Sequence, residues 1–333
     1  MPEHPGAHKG VCRVVTESFP LGTKALHPDW PEARFNVSGM FVFERLVVDV
    51  VTSVEATFDC HVPIEAMHGA PAVPWNAGRP SRVPFSLAGL QASLQRLHAK
   101  NIGCFPTFTN HLIDNKDLED RTCGCILDCI SQRADLNGVI VASELLSKHI
   151  AEKYPALRQV ASVIKVTFDG GQGKADYYNE LGKRFYRYVV HPDDCRDLKL
   201  LDQLDRQKAE IIVNENCVAN CPRRARHYTA YARWQRAAGS PEQQQIQQEV
   251  DQIVASCPSP AHLRQMPTRT RTCNLTRTEM KAVYDLGFRH FKIQGRADGP
   301  YIYSYDLTRF TLEPEFVAPL VHKGVCHAVV PAR

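Results

Sequence analysis

Short apolar runs alternate with amphipathic stretches along most of this chain, and that alternation restricts the fold more than any other feature. Residues 104–110 (CFPTFTN), 138–143 (GVIVAS), 159–167 (QVASVIKVT), 187–191 (RYVVH), 209–213 (AEIIV) and 289–296 (RHFKIQGR) read as strands, rich in β-branched and aromatic residues. A weaker alternation at 61–69 predicts one more. Residues 41–51, 87–100, 120–133, 145–154, 175–185 and 195–205 predict helices. In the second of these, Leu87, Leu90, Leu94 and Leu97 recur at helical spacing, and Gly103 follows in a stop position. Repeated strand–helix units of about 25 to 35 residues imply parallel strands joined by crossover helices. With about seven to eight strands, mostly parallel, the simplest closure is an α/β fold of the TIM-barrel-like (β/α) type.

The rhythm breaks after Tyr228. A Gln-rich segment follows in which Ile246, Val250, Ile253 and Val254 share a helical face, with Ser240 expected as N-cap and Pro241 at the first helical position. Residues 229–273 are therefore expected to form a helical and loop insertion before the last strand. Thr276 and Glu279 then make a capping box for a helix that Gly287 ends. A closing helix is expected at 314–322. Residues 1–34, rich in Pro, His and Gly, read as an irregular lead-in, and residues 35–333 as a single barrel domain.

Composition bounds the function only loosely. A formal charge of +4 over 333 residues is too mild for a nucleic-acid footprint and fits a small anionic ligand equally well. The opening MPEHPGAHKG lacks an apolar leader and no run is long enough to span a bilayer, so a cytoplasmic protein without membrane partners is expected. There, twelve cysteines are expected as reduced thiols or metal ligands rather than a disulfide framework.

The densest chemistry lies at 209–228, AEIIVNENCVANCPRRARHY. A buried strand ends in Asn214, Glu215 and Asn216, followed by Cys217 and Cys221, then Arg223, Arg224, Arg226 and His227. Thiols bind metal as thiolates, and neighbouring cations favour the thiolate, so this looks like half of a metal or iron–sulfur site; the alternative is that both cysteines are small buried core residues. Cys257 and Cys273 extend it to C-x3-C-x35-C-x15-C, four thiols suited to a 4Fe–4S cluster or to zinc; spacing alone does not choose. The C-x3-C-x2-C pattern of radical S-adenosylmethionine enzymes is not met, because Arg224 occupies the third position. Cys123, Cys125 and Cys129 fall on a predicted helix and read as core. Lys165 and Lys292 lie within predicted strands, placed either for Schiff-base chemistry or for pairing with a carboxylate. In a barrel, functional groups gather at the carboxyl ends of strands. That rule selects Asn76, Arg79, Asn110, Ser143, Glu144, Asp169, His191, Asn214, Glu215, Gln294 and Arg296.

The segments VNENCVANCPRRARHY and YDLGFRHFKIQGR, with WNAGR at 75–79 and FTN at 108–110, resemble the peptidase U32 (collagenase-like protease) family, in particular a divergent branch in which one strand ends in N-x-x-C-x3-C-P-x-R-x-x-H and a later strand carries F-K-I-x-G-R. The resemblance spans residues 35–319. It implies a TIM-barrel-like domain and a 4Fe–4S cluster held by four cysteines. Cys217 and Cys221 match the paired ligands, Cys257 the thiol after the excursion, and Cys273 is taken as the fourth. Several members take part in oxygen-independent hydroxylation of tRNA bases or of a quinone precursor, while a minority carry the peptidase activity. The cysteine spacing here departs from the hydroxylase members, and no counterpart of the extra C-terminal domain of the larger ones is expected within these 333 residues.

The expectation is thus an Fe–S-binding barrel enzyme that modifies a small or nucleotide-containing substrate, plausibly by oxygen-independent hydroxylation, with an electron-donor protein as a possible partner. Asn214, Glu215 and His227 are the expected catalytic groups, and Asn76, Arg79, Asn110, His191 and Arg296 the substrate-binding ones. Two alternatives stand beside it: a metal-dependent hydrolase or peptidase with Glu215 as base, and a non-catalytic zinc-stabilised binding protein.

Overall fold

The computed structural model describes residues 26–58, 60–80, 85–257, 272–295 and 299–313. Eight parallel strands close a barrel in sequence order: β1 (Arg34–Val37), β2 (Ile64–Gly69), β3 (Gly103–Phe108), β4 (Gly138–Val141), β5 (Arg158–Ala161), β6 (Arg187–Val189), β7 (Ala209–Ile212) and β8 (His290–Ile293). β8 returns to β1, with Asn36 opposite Lys292. Helices α1 (Glu44–Phe58), α2 (Leu87–Ala99), α3 (Arg121–Ser131), α4 (Glu144–Lys153), α5 (Val163–Phe168), α6 (Ala175–Arg184) and α7 (Leu198–Leu201) follow the first six strands. After β7 come α8 (Arg224–Arg236), α9 (Gln243–Ala255) and α10 (Arg277–Asp285), and after β8 comes α11 (Pro300–Thr311). The TIM-barrel-like fold expected from the alternation is the fold observed.

Two apolar layers hold it. Outward-facing strand residues such as Val37, Met67, Val141 and Ile211 pack under the helices, while Ala66, Phe105, Ile140, Val160, Val189 and Ile212 fill the barrel itself. At its amino-terminal end a different device closes the barrel. Glu65 on β2 takes two hydrogen bonds from Arg187 on β6, at 2.8 and 2.9 Å, and lies 3.4 Å from His290 on β8. Burial pushes the Glu65 carboxyl up, but His290 and Arg187 more than offset it and hold it down at about 2.

Several local expectations are corrected. The four-residue β1 is too short for its alternation to stand out in sequence, and it supplies the eighth strand. The run at 159–167 is not one strand: β5 ends at Ala161, and the Ser162 hydroxyl accepts from the Ile164 N–H at 3.1 Å to start α5. Lys165 is therefore helical and pairs with Asp169 and Glu144 at 3.0 and 3.2 Å, and Asp169 caps a helix rather than ending a strand. The predicted helix at 195–205 shrinks to α7, capped by Asp197, and α9 starts at Gln243, later than Ser240 and Pro241 predict. Helix α11 was not foreseen. Trp30, buried against it, donates its indole N–H to Phe310 O at 2.7 Å, so the end of the lead-in packs on the barrel. The expected helix at 314–322 and Arg296 lie outside the described residues.

Candidate active site

At the carboxyl end of the barrel lies a cavity of about 240 Å³. Arg79, Asn214, Glu215, Cys217, His227 and Cys257 all line it, together with His68, Lys292, Gln294 and Tyr228. Strand ends and the loops beyond them supply most of these groups, as the architecture dictates.

Glu215 is held by two neighbours. Its Oε1 accepts from the Cys217 N–H at 2.9 Å and its Oε2 from Gln294 Nε2 at 3.2 Å. Asn214 clasps the end of β8: its amide accepts from Gln294 N at 2.7 Å and donates to Gln294 O at 2.8 Å, and it reaches Asp306 on α11 at 3.1 Å. Gly295, next in line, has φ of +147°, a conformation glycine adopts without steric cost. This accounts for the glycine in FKIQG.

At the cavity wall, which Arg224 helps to line, a buried ion pair organises the cysteine loop. Arg224 donates to both oxygens of Asp193, at 2.7 and 3.1 Å, to Val218 O at 3.1 Å and to the Cys273 sulfur at 3.5 Å. The Cys273 thiol in turn donates to Asp193 at 3.1 Å. Burial raises the Asp193 carboxyl, yet hydrogen bonds from Arg224, the Asn220 N–H and Cys273 bring it below its usual range. His191 lies against the same guanidinium at 3.1 Å, and burial together with Arg224 lowers its pKa to about 4. Asp193 carried no motif in the sequence and was missed; only its proximity to His191 could have pointed to it.

The cysteines come together in part. Val218 and Thr272 form an antiparallel bridge, and the Cys273 N–H donates to Cys217 O at 2.9 Å, so Cys217 and Cys273 stand opposite one another. Cys257 lines the same cavity as Cys217, and Arg223 donates to Ser256 O at 2.5 Å, tying the Cys221 turn to the end of α9. Residues 56 positions apart along the chain thus meet through their backbone, and Cys217 and Cys257, 40 positions apart, share the cavity wall. As a donor set for a metal centre these thiols fit in kind, with a guanidinium beside two of them. Burial nevertheless outweighs Arg224 and pushes the Cys217 thiol up to about 12, contrary to the expectation that the arginines would dominate. Burial raises Cys273 as well. Among the described residues no three His, Cys, Asp or Glu side chains form a group that could hold a metal ion.

Other expected site residues turn out to shape the wall. The Asn76 amide folds its own loop by bonding Gly78 N and O, both at 2.9 Å, and accepts from the Thr107 hydroxyl at 3.0 Å. Asn110 donates to Pro74 O at 2.7 Å and Ala232 O at 3.0 Å, joining this loop to α8. These two, like His191, Cys221 and Cys273, are absent from the cavity lining, whereas Arg79 reaches it. Ser143 caps α4. Cys123 and Cys129 are buried on α3, as their helical spacing predicted, whereas Cys125, also expected in the core, lies on the exposed face of that helix. His68 is a cavity group without a signal in the sequence, and Lys292, which also lines the cavity, pairs with the Glu210 carboxylate at 3.7 Å, one of the two roles its strand position offered.

No protein-family model and no curated protein sequence matches the chain. Among solved structures, the U32 peptidase Mk0906 is similar, with a TM-score of 0.50 and 12% identity over 84% of this chain and 97% of that one. A GH18 chitinase from Pseudoalteromonas aurantia aligns with a TM-score of 0.36 and 9% identity over 80% of this chain and 95% of its own. A β-N-acetylhexosaminidase gives 0.31 and 9%, over 90% and 76%. At 12% identity the U32 likeness is one of fold: the chain has a distantly U32-like closed barrel. No helix among the described residues is long and apolar enough to cross a membrane.

Proposed function

We propose that the protein is a U32-like barrel enzyme that modifies a small or nucleotide-containing substrate at this mouth by oxygen-independent hydroxylation, with a 4Fe–4S cluster held by Cys217, Cys221, Cys257 and Cys273. The observation that carries the reading is the placement of Cys217 and Cys257 on one cavity with Arg79, Glu215 and His227. A bound cluster would supply electron transfer or Lewis-acid activation; with water as the source of the oxygen, hydroxylation releases two electrons and two protons, so the redox partner would be an electron-accepting protein in place of the donor expected above. The chain's own residues do the rest. Arg79 offers a guanidinium to an anionic group of the substrate. Glu215, whose two oxygens are both anchored, is positioned to accept a proton within the cavity. His227, its ring 5.1 Å from that of Tyr231, forms a second polar wall.

The test compares small-molecule and RNA-nucleoside profiles of oxygen-free cells producing the wild type or Glu215→Gln. A hydroxylated product present only with the wild type supports the reading. Metal-dependent cleavage of a peptide library, abolished in Glu215→Gln, would replace it with a hydrolase.

A further inference from the structure

The two lysines that the sequence places within apolar runs are both buried, and their surroundings differ. Lys165 Nζ lies 3.0 Å from Asp169 and 3.2 Å from Glu144, within hydrogen-bond length of both carboxylates, and Lys165 is absent from the cavity lining. Lys292, 5% exposed, lines the cavity from β8. Its neighbour in register on β7 is Ile212, and two residues earlier on that strand comes Glu210, 1% exposed and absent from the lining. The Lys292 ammonium therefore stands between the cavity and a carboxylate set deeper in the barrel. Glu210 Oε1 is 3.7 Å from Nζ, an ion pair just beyond hydrogen-bond length, and accepts no hydrogen bond from any described residue. A shift of less than about 1 Å brings that oxygen within reach of an ammonium proton.

We propose that Lys292 is an amine nucleophile that captures a small aldehyde or ketone in this cavity as a Schiff base, with Glu210 as its proton shuttle. Glu210 takes one proton from the ammonium, and the freed amine adds to the carbonyl carbon. A second amine proton passes to the carbonyl oxygen as the C–N bond forms, giving a carbinolamine. Glu210 then returns its proton to that hydroxyl, which leaves as water, and the iminium carries the positive charge that the ammonium began with. No electrons are gained or lost, and Glu210 ends as the carboxylate beside the new cation. The pairing of Lys292 with Glu210 is thus what the step uses. An iminium draws electrons from the adjoining carbon, so the activity it supplies is activation of a carbonyl compound. This goes beyond the hydroxylase reading and needs no cluster.

The test treats the intact protein with butanone and sodium cyanoborohydride, which reduces an iminium to a stable secondary amine, and follows each lysine by peptide mass spectrometry. Lys292 is expected to be alkylated roughly tenfold or more faster than Lys183, which is 74% exposed, while hydrogen-bonded Lys165 stays unmodified. That order is the reverse of the one exposure alone would give. Glu210→Gln is expected to slow Lys292 roughly tenfold or more and to leave Lys183 unchanged. The order in unaltered protein decides the matter even where the variant fails to fold. Lys292 alkylated no faster than Lys183, or as fast in folded Glu210→Gln as in the wild type, overturns the proposal. Iron does not enter the readout: a colourless protein that shows the expected order keeps the Schiff-base site and defeats the cluster, and an iron-loaded protein without it does the reverse.

Discussion

The two ends of the barrel use charge in opposite ways. At the amino-terminal end, Glu65, Arg187 and His290 face one another across the interior, with Arg187 donating twice to Glu65 and His290 within 3.4 Å of the same carboxylate. At the carboxyl end, Arg79, Glu215, His227 and Lys292 face a cavity, and Arg224, also part of its wall, is paired with Asp193, which is not. Charges that cancel locally close the barrel; charges on a cavity wall can also meet a ligand. The same residue types therefore serve stability at one end and recognition at the other.

That contrast can be broken most severely at the hidden pair. Arg224→Ala leaves Asp193 buried without its partner and should cost about 3–5 kcal/mol in denaturant unfolding, while also freeing the Cys273 thiol. A loss below about 1 kcal/mol would mean that the cysteine loop is held by other contacts. Arg187→Ala at the opposite end should cost somewhat less, about 2–4 kcal/mol, since Glu65 is partly reached by solvent. It should leave ligand binding at the mouth unchanged.

Acid should sharpen the picture. Burial lowers His27, His111 and His191 from 6.5 to about 4, with Arg224 adding to the effect at His191. These rings stay neutral in the fold, whereas the unfolded chain takes up protons below 6.5. Stability is thus full above pH 6.5 and falls as pH drops toward 4, measurable as a declining melting temperature. Glu65, depressed to about 2, adds a second loss as pH falls from 4.5 toward that value. A flat melting temperature between pH 6.5 and 4 would contradict the burial of the histidines. The smallest effects on stability belong to the cavity groups: Arg79→Ala and Glu215→Gln should shift unfolding by no more than about 0.5 kcal/mol while removing substrate turnover. A large destabilisation with turnover retained would move those residues from the site to the scaffold.

How much of this was legible follows from range. Period and caps are local, so the barrel, the Thr276–Glu279 capping box and the helical placement of Cys123 and Cys129 could be read directly. The β-branched run VIKVT misled because strand propensity is weak beside the cap that Ser162 provides. Asn76 and Asn110 were found as polar groups at strand ends, but only three-dimensional contacts reveal that they brace a loop while neighbouring Arg79 enters the cavity. His68 and Asn36 were overlooked because a polar residue pointing into a barrel looks the same in sequence as one pointing out. Cys217 and Cys257 are expected together at a metal centre from thiol chemistry; the structure puts both on one cavity wall, although nothing local in the sequence connects them.

The central claim is that distant sulfurs at this mouth hold an iron–sulfur centre. Its most direct test is iron, sulfide and zinc analysis with electron paramagnetic resonance on protein isolated without oxygen, for the wild type and for Cys217→Ser and Cys257→Ser. The account predicts a brown wild type with roughly four irons and four sulfides per chain and a resonance signal on reduction, lost in both variants. A colourless wild type carrying zinc, or a cluster that survives both substitutions, would contradict it.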